Sequence, residues 1–375
     1  MIYSFTDGYL RIYLWEDGKI ISGMSKKYKV IGLMSGTSMD GVDLAYCEFE
    51  NNGVWSYNIL FGKTYAYTQK WQDLLVNIVD IEDRHIEVIH QDLGEYYGRL
   101  IQNFCQEFQV VPDFVSSHGH TVFHQPEMGK TLQIGSGSSI GRLTHLTVVN
   151  DFRSKDIKLG GQGAPLVPIG DHLLFSEYDC CLNLGGISNI SFLEDGQRRA
   201  YDICPMNMAL NELARLTGKM YDDKGSLASE GQLNEDLLNR LNDLEYYKKS
   251  APKSLGAEWY KDKFRDVLFE KRLLTSDCLR TVVEHIAIQI SLATKQYTKG
   301  KMLVTGGGAF NDFFISRLKA LCAPEIILPE KKIIDYKEAM IFAFLGVLRM
   351  ETKNNVLSSV TGSSKDHCSG VIHNP

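Results

Sequence analysis

The chain has 375 residues, of which 44% are hydrophobic and 23% are charged, and these proportions are typical of soluble globular proteins. A chain of this length predicts roughly two to three domains and a core large enough to exclude intrinsic disorder. The net charge of −6 argues against a nucleic-acid binder, which usually carries a basic surface. No apolar run approaches the roughly 20 residues that span a bilayer.

The cysteines and the N-terminus predict a cytoplasmic protein. Eight cysteines are scattered along the chain without a C-x-x-C pair, a pattern that favours reduced thiols over a disulfide framework. No basic-then-apolar leader opens the sequence. Residues 1–23 alternate apolar and polar side chains around the turn signals Asp7-Gly8 and Asp17-Gly18, which predicts a small hairpin. Because Met24 precedes a clean apolar strand, we interpret residues 1–23 as an appendage that follows from an early start codon.

A strand–glycine turn–strand unit occurs twice, about 150 residues apart. Residues 30–34 and 42–49 form the first pair of predicted strands, and residues 181–184 and 190–193 form the second. An amphipathic helix is predicted across residues 86–104, where apolar side chains recur every three or four positions. Two similar α/β halves that face a cleft are the simplest interpretation. We predict one domain from residues 24–150 with about 350–375, and a second from residues 151–349.

Each turn contains groups that suit a phosphate. In the first turn, glycines allow close backbone approach, successive N–H groups form an anion nest, and Asp40 and Asp43 are suited to the water shell of Mg²⁺. A plain hairpin turn is the alternative. The triple glycine Gly306-Gly307-Gly308 follows a predicted strand and precedes a helix, which favours a nucleotide over a ligand-free turn.

Several longer strings resemble, in order, the anhydro-N-acetylmuramic acid kinase family. The match runs from about residue 28 to the C-terminus, and its members are IGLMSGTSMDGVD (31–43), SHGHT (117–121), DFRSKD (151–156), GGQGAPLVP (160–168), NLGGISN (183–189), PKS (252–254), GGGAFN (306–311) and VTG (360–362).

The resemblance implies a fold class and a reaction. The fold class is α/β, with two ribonuclease H-like (actin/hexokinase-like) domains around an ATP cleft. The reaction uses ATP with Mg²⁺ as cofactor. Water opens the 1,6-anhydro bridge of 1,6-anhydro-N-acetylmuramic acid, and O6 receives the γ-phosphoryl group in peptidoglycan recycling. The family also implies a homodimer.

The resemblance assigns Asp202 as the base that activates water, because residues 201–207 match a family Asp-x-Gly-Pro-Gly-Asn motif. The alternative is a helix N-cap, since a helix is predicted from Pro205. Cys204 and Met206 replace the two family glycines, and His120 replaces a glutamine. We expect the two larger side chains to reshape the loop, and Met206 to narrow the sugar pocket.

The remaining roles are also implied by the resemblance. The residues assigned to ATP are Gly36, Thr37, Ser38, Met39, Asp40, Gly41, Val42, Asp43, Gly185, Gly186, Gly306, Gly307, Gly308 and Asn311. The residues assigned to the sugar are His118, His120, Arg153, Asn207 and Glu338. A surface or inter-domain ion pair is the alternative for Arg153 and Glu338. A structural zinc site or a hydrogen-bonded strand-end histidine is the alternative for the histidines.

Three functional hypotheses remain open from the sequence. The first is the hydrolysing sugar kinase of the family. The second keeps the fold but changes the substrate to another amino sugar or anhydrosugar, because of Cys204 and Met206. The third is a non-catalytic regulator that binds ATP, and the presence of both the phosphate-turn acids and the base argues against it.

Overall fold

The chain folds into two compact α/β units. The structure is a computed structural model that describes residues 2–6, 9–16, 19–24, 26–36, 41–78 and 81–375. Unit 1 comprises Met1–Leu174 and Glu338–Pro375, and unit 2 comprises Phe175–Lys337. Each unit has its own sheet and its own hydrophobic core.

The unit boundaries differ from the predicted ones after residue 150 and near residue 350. Residues 151–174 stay with unit 1 because the Asp156 carboxylate in this stretch is hydrogen-bonded to Thr361 and His367. Residues 338–350 belong to unit 1 because their helix packs on its sheet. A Cβ atom on Gly32 would collide with the Ala339 carbonyl, and one on Gly346 would meet Ser116 Oγ at 2.6 Å.

Residues 2–24 form a separate antiparallel sheet of three strands, β1 (Ile2–Thr6), β2 (Tyr9–Glu16) and β3 (Lys19–Met24). The predicted hairpin is therefore extended to a meander. Its two Asp-Gly turns, at residues 7–8 and 17–18, lie outside the described residues.

The sheet of unit 1 begins with three antiparallel strands, β4 (Lys27–Ser35), β5 (Gly41–Asn51) and β6 (Trp55–Ala66). Strand β7 (Phe114–Gln125) is parallel to β4, β9 (Val148–Asn150) is parallel to β7, and β8 (Lys130–Ile134) pairs with the end of β7. The strand Val371–His373 completes the other edge. The order of the five main strands is therefore β6-β5-β4-β7-β9.

Unit 2 repeats this arrangement. Strands β10 (Cys180–Leu184), β11 (Ile187–Glu194) and β12 (Gln197–Pro205) are antiparallel neighbours. Strands β13 (Lys301–Thr305) and β14 (Glu325–Ile327) continue in parallel from β10, which gives the order β12-β11-β10-β13-β14. The same strand order in both units is that of the ribonuclease H-like fold, so the predicted fold class and its duplication are confirmed.

Helices cover the sheets. Those of unit 1 are Gln69–Val76, Asp83–Phe108, Gly137–Thr144, Ser154–Lys158, Pro168–Leu174 and Ser358–Thr361, with the last part of Lys331–Met350. Those of unit 2 are Asn207–Arg215, Ser226–Glu230, Glu235–Asn242, Glu245–Lys248, Ala257–Trp259, Arg265–Phe269, Thr275–Thr294 and Asp312–Leu321. Among the described residues, no helix has the length and apolarity that a membrane crossing requires.

The predicted apolar helix face lies in the core of unit 1. Its members, all buried, are Ile86, Ile89, Leu93, Tyr97, Leu100 and Phe104. They pack with Ile31 and Leu33 of β4 and with Val42 and Leu44 of β5. Burying each such large side chain contributes about 1.5–3 kcal/mol. This core therefore fixes the ends of β4 and β5, between which the first glycine turn lies.

Candidate active site

Asp202 lies on β12, the edge strand of the unit 2 sheet. The pairing of β11 with β12 skips Ile203, so a bulge follows Asp202; bulges often redirect a side chain beside an active site. One carboxylate oxygen, Oδ2, accepts a hydrogen bond of 2.9 Å from the Leu255 N–H. Burial raises the pKa of Asp202, and this hydrogen bond to the charged form opposes the rise. The geometry therefore offers a carboxylate base with one oxygen held in place.

Asp202 does not cap the helix that follows it. That helix begins at Asn207, with Met206 as its N-cap residue and no side-chain cap. The N-cap alternative for Asp202 is therefore excluded, because its carboxylate is bonded to Leu255 instead.

The side chains of Cys204 and Met206, which replace the two family glycines, point into the core of unit 2. Both side chains are fully buried in the core of unit 2. The Cε of Met206 packs under Gly308. The Cys204 thiol lies 3.2 Å from the Ser188 hydroxyl. Both side chains therefore contribute to the core of unit 2, and the expectation that Met206 lies against the sugar has no support from its position.

The second glycine turn is held by the start of the helix Asn207–Arg215. The backbone N–H groups of Met206 and Met208 donate to the Gly186 carbonyl oxygen, at 2.8 and 3.1 Å. Asn207 donates from its own N–H to the Gly185 carbonyl and from Nδ2 to the Leu184 carbonyl, at 3.2 and 2.9 Å. Asn207 thus supports the turn through two bonds.

The glycines of unit 2 divide into two groups. Gly306 has a φ of +84°, and a Cβ on it would meet the Leu184 backbone at 2.8 Å, while Gly308 packs against Met206. A Cβ on Gly185, Gly186 or Gly307 would have no neighbour closer than 3.4 Å, and none of these three has a positive φ. Packing and backbone angle therefore explain the first two glycines, whereas the other three leave open space above their backbone. Asn311 accepts from Phe314 N–H and caps the helix Asp312–Leu321.

The first phosphate turn is described only at its two sides. Thr37, Ser38, Met39 and Asp40 lie outside the described residues, and Gly36 precedes them. A Cβ on Gly41 would meet the Tyr65 carbonyl oxygen at 2.6 Å, and Val42 is buried in the core. Asp43 is half-buried, and its Oδ1 accepts a hydrogen bond of 2.6 Å from Thr64.

Three predicted sugar residues, His118, Arg153 and Glu338, come together in unit 1. Nδ1 of His118 is protonated because it faces the Gly119 carbonyl oxygen at 2.9 Å, and Nε2 accepts from Arg153 Nε and Nη2 at 3.1 and 2.8 Å. Burial, and next the Arg153 charge, hold the pKa of His118 well below its usual value. Burial lowers the pKa of Arg153 to about 10, opposed by the charge of Glu338. This cluster keeps a guanidinium cation beside His118 of β7.

His120 serves the first glycine turn. Its Nδ1 lies 3.0 Å from the Ser35 hydroxyl, which lies 2.7 Å from the Tyr67 hydroxyl. Burial lowers the pKa of His120 to about 4, so the ring is neutral at physiological pH. The network holds Ser35, the last residue of β4, next to Gly36.

Asp156 is a residue that sequence reasoning missed as an organiser of the site. It is fully buried, and its carboxylate accepts from the Gly163 N–H, the Thr361 hydroxyl and His367 Nε2 at 2.7, 2.8 and 2.9 Å. Gly163 in turn presents its carbonyl oxygen to Arg153 Nη1 at 2.6 Å. The strings GGQGAPLVP and VTG are therefore tied together around one carboxylate. The signal was an acidic residue at the end of DFRSKD.

A cavity of about 340 Å³ with a mixed polar and apolar lining lies in unit 1 beside His118. It is bordered by the last residue of β9 and by the part of β7 that follows its parallel pairing with β9, and ligands of α/β folds commonly bind beyond the carboxyl ends of parallel strands. Its lining includes His118, Gly119, Gln133, Asn150, Asp151 and Ser154. Asp151 has a φ of +53°, and such strain in a non-glycine residue is frequent at functional sites.

Metal coordination by side chains has no support in the described parts of the chain, which hold no group of three His, Cys, Asp or Glu residues suited to a metal ion. Both nitrogens of His118 are occupied by Gly119 and Arg153, and His124 Nδ1 faces the Thr131 hydroxyl at 3.2 Å. His118, His120 and His124 have the spacing H-x-H-x₃-H, which is the basis of the zinc alternative, and in the structure all three are hydrogen-bonded.

Two ribonuclease H-like units with glycine turns after their first strands define the actin/hexokinase-like class of proteins. The chain belongs to the anhydro-N-acetylmuramic acid kinase family, whose sequence profile matches residues 28–375. The anhydro-N-acetylmuramic acid kinase of Photobacterium profundum is 34% identical over an alignment 375 positions long, which covers 92% of this chain and 98% of that one. The one from Mannheimia succiniciproducens is 35% identical over 373, covering 93% and 99%.

A likeness to solved structures was also found. The activator of 2-hydroxyisocaproyl-CoA dehydratase from Clostridium difficile, solved with bound ADPNP, is 12% identical, with a TM-score of 0.43 and coverage of 86% of this chain and 97% of that one.

Proposed function

We propose that the protein is an ATP-dependent kinase that hydrolyses the 1,6-anhydro bridge of 1,6-anhydro-N-acetylmuramic acid and phosphorylates O6, yielding N-acetylmuramic acid 6-phosphate. Family membership across residues 28–375 supports this activity. The single structural observation that carries the mechanism is the arrangement of the Asp202 carboxylate. One of its oxygens is held by Leu255, and the other has no hydrogen-bond partner among the described residues, which leaves it available to a water molecule.

The proposed chemistry is a coupled hydrolysis and transfer. Asp202 takes a proton from water as the water oxygen forms a bond to C1. The C1–O6 bond breaks, and O6 forms a bond to the γ-phosphorus of ATP while the bond to the β-phosphate oxygen breaks. The products are the 6-phosphate, ADP and the proton on Asp202, which is released to solvent.

We assign the nucleotide to the glycine turns. In unit 2, the open space above Gly185, Gly186 and Gly307 allows a phosphate or ribose to approach the backbone closely. Three further residues support that surface: Gly306 and Gly308 pack closely against Leu184, and Asn311 caps the helix that follows. In unit 1, we assign residues 36–43 to the β- and γ-phosphates, and the bond from His120 to Ser35 holds the start of that turn.

Magnesium is the ion that accompanies ATP in such reactions and neutralises phosphate charge. Asp43 offers carboxylate oxygens, the ligand chemistry that Mg²⁺ prefers, directly or through water. Asp40 is the second proposed acid and lies outside the described residues.

We assign the lactyl carboxylate of the sugar to Arg153. Its guanidinium has five N–H donors, three of which are used by His118 and Gly163. We assign the other two to the sugar carboxylate, which a planar guanidinium can bind through two parallel hydrogen bonds. Glu338, His118, His120 and Asn207 remain proposed sugar-site residues, of which His118 acts by orienting Arg153.

The test is a sugar panel with ATP and Mg²⁺, followed by ADP release and mass spectrometry. Anhydro-N-acetylmuramic acid should give a product heavier by one water and one phosphoryl unit. Asp202→Asn should abolish turnover but retain ATP binding, while Asp243→Asn, at an exposed carboxylate, should behave as wild type. Turnover only of another sugar would favour the second hypothesis, and ATP binding without turnover of any sugar would favour the regulator.

A further inference from the structure

The edge of β12 at Asp202 is covered by a segment that sequence reasoning did not assign to the site, residues 246–255, which we call the aspartate clamp. The main-chain N–H of Asp202 donates to the Lys253 carbonyl oxygen at 3.2 Å. The Tyr246 hydroxyl donates to the Asp202 carbonyl oxygen at 2.6 Å. The Leu255 N–H donates to the carboxylate at 2.9 Å. The clamp therefore engages all three polar groups of Asp202.

Tyr246 is the part of the clamp that is anchored most firmly. Its side chain is 3% exposed, and its ring contacts Trp259 and Tyr247 with centroid distances of 5.3 and 5.7 Å. The Lys253 ammonium lies 4.7 Å from the centre of the same ring, within the range of a cation–π interaction. A hydroxyl on so fixed a ring sets the position of the main-chain group that it bonds.

We propose that Tyr246 is a positioning residue for Asp202 in the proposed reaction. It holds the Asp202 main chain against the clamp, which keeps the Leu255 N–H aligned on Oδ2 and the other carboxylate oxygen free for water. This role rests on the proposed function. It is distinct from substrate contact, because Tyr246 acts only through Asp202.

The pH dependence of turnover separates this role from simple structural support. A hydrogen bond to the ionised carboxylate lowers its pKa. If the Tyr246 hydroxyl is removed, the Leu255 bond to Oδ2 is weakened, the pKa of Asp202 rises, and the acid limb of the kcat profile moves to higher pH. A mere loss of stability reduces the amount of folded enzyme and leaves the limb in place.

The experiment compares Tyr246→Phe with Tyr247→Phe in the full chain. Tyr247 is the matched control, because its hydroxyl bonds His285 Nε2 at 3.0 Å and does not reach Asp202. We expect Tyr246→Phe to lower kcat about tenfold, since a buried carbonyl loses its donor, with the KM for ATP within about twofold. The acid limb of the kcat profile of Tyr246→Phe should move to higher pH. Tyr247→Phe should lower the thermal midpoint and leave both kinetic features unchanged.

A second variant keeps the proposal testable if Tyr246→Phe folds poorly. Leu255→Pro deletes the N–H that donates to Oδ2 and should shift the acid limb in the same direction. Two results would overturn the role of Tyr246 and leave the proposed function standing. One is wild-type activity with an unshifted acid limb in both Tyr246→Phe and Leu255→Pro. The other is equal kinetics for Tyr246→Phe and Tyr247→Phe. A wild-type protein without sugar-dependent ADP release would instead overturn the proposed function and the role that rests on it.

Discussion

The Leu255 N–H and the Asp202 carboxylate, 53 positions apart in the chain, are joined by a hydrogen bond of 2.9 Å. The bond leaves the second carboxylate oxygen without a partner among the described residues. Burial raises the pKa of this group above its ordinary value, the bond opposes the rise, and the same bond fixes the direction of the carboxylate.

The first prediction concerns the pH dependence of catalysis. A base works only when it is ionised, so kcat should fall as the pH drops through the pKa of Asp202, which lies above that of an ordinary aspartate. ADP release with anhydro-N-acetylmuramic acid between pH 4 and 8 measures this limb. An acid limb at the position typical of an exposed aspartate would contradict the burial effect.

The second prediction concerns Arg153. Lysine carries the charge but cannot bond both His118 and Gly163 with one planar group. Arg153→Lys should therefore raise the KM for the sugar about tenfold and leave the KM for ATP unchanged. Arg199→Lys, at an exposed ion pair, is the control. Equal sugar affinity in both variants would remove Arg153 from the sugar site.

The third prediction concerns stability in acid. The pKa of His120 falls from 6.5 to about 4 in the folded protein, so the unfolded chain binds more protons over that window, and stability is lost as the pH falls from about 6.5 towards 4. Between pH 7 and 5 this one group should cost about 2 kcal/mol.

The variant His120→Gln, which keeps a side chain able to hydrogen-bond Ser35, should show a correspondingly smaller loss in urea unfolding at pH 7 and 5. His85→Gln, on an exposed part of its helix, should lose as much stability as wild type. Equal pH dependence in both variants would refute the assignment.

The fourth prediction concerns Asp156. Removing a fully buried carboxylate that accepts three bonds leaves the Gly163 N–H, the Thr361 hydroxyl and His367 without their partner. Asp156→Ala should lower the free energy of unfolding by about 3 kcal/mol, and sugar turnover should fall because Gly163 also bonds Arg153. Asp243→Ala is the exposed control. Denaturant unfolding measures the first effect, and an unchanged midpoint would contradict it.

The fifth prediction separates two neighbouring glycines. A methyl group on Gly308 would collide with Met206 Cε and meet Leu184 Cβ at 2.8 Å, so Gly308→Ala should cost about 1–3 kcal/mol of stability. A methyl group on Gly307 meets only Asn207 Nδ2 at 3.8 Å. Gly307→Ala should therefore keep the thermal midpoint but weaken ATP binding, measured by calorimetry. Unaltered ATP affinity would contradict the nucleotide assignment.

Local patterns in the sequence predicted several of the elements and the duplicated strand–turn–strand unit. The helix Asp83–Phe108 follows from a spacing of three and four residues, which depends only on helix geometry, and the two glycine turns follow from neighbouring residues. The string from residue 201 to 207 assigns Asp202 as the base only through its resemblance to a family motif, and that role stays a prediction.

Features that depend on distant contacts could not be predicted. Asp156 meets His367 across 211 positions, so the attachment of residues 151–174 to unit 1 has no local signal. Met206 was expected at the sugar, because a sequence motif does not tell on which side of the loop a side chain lies. The Tyr246 hydroxyl donates to the Asp202 carbonyl oxygen across 44 positions, and no sequence pattern indicates this contact.

The route of the chain also has a consequence for biosynthesis. Unit 2 is one continuous stretch, Phe175–Lys337, whereas unit 1 is completed by Glu338–Pro375. Strand β9 receives its edge partner only from Val371–His373. Domains fold as units while the chain emerges from the ribosome. When unit 2 has been translated in full, unit 1 still lacks the strand Val371–His373 and the helix that packs against Gly32. The half of the protein that is translated first is therefore the half that is finished last.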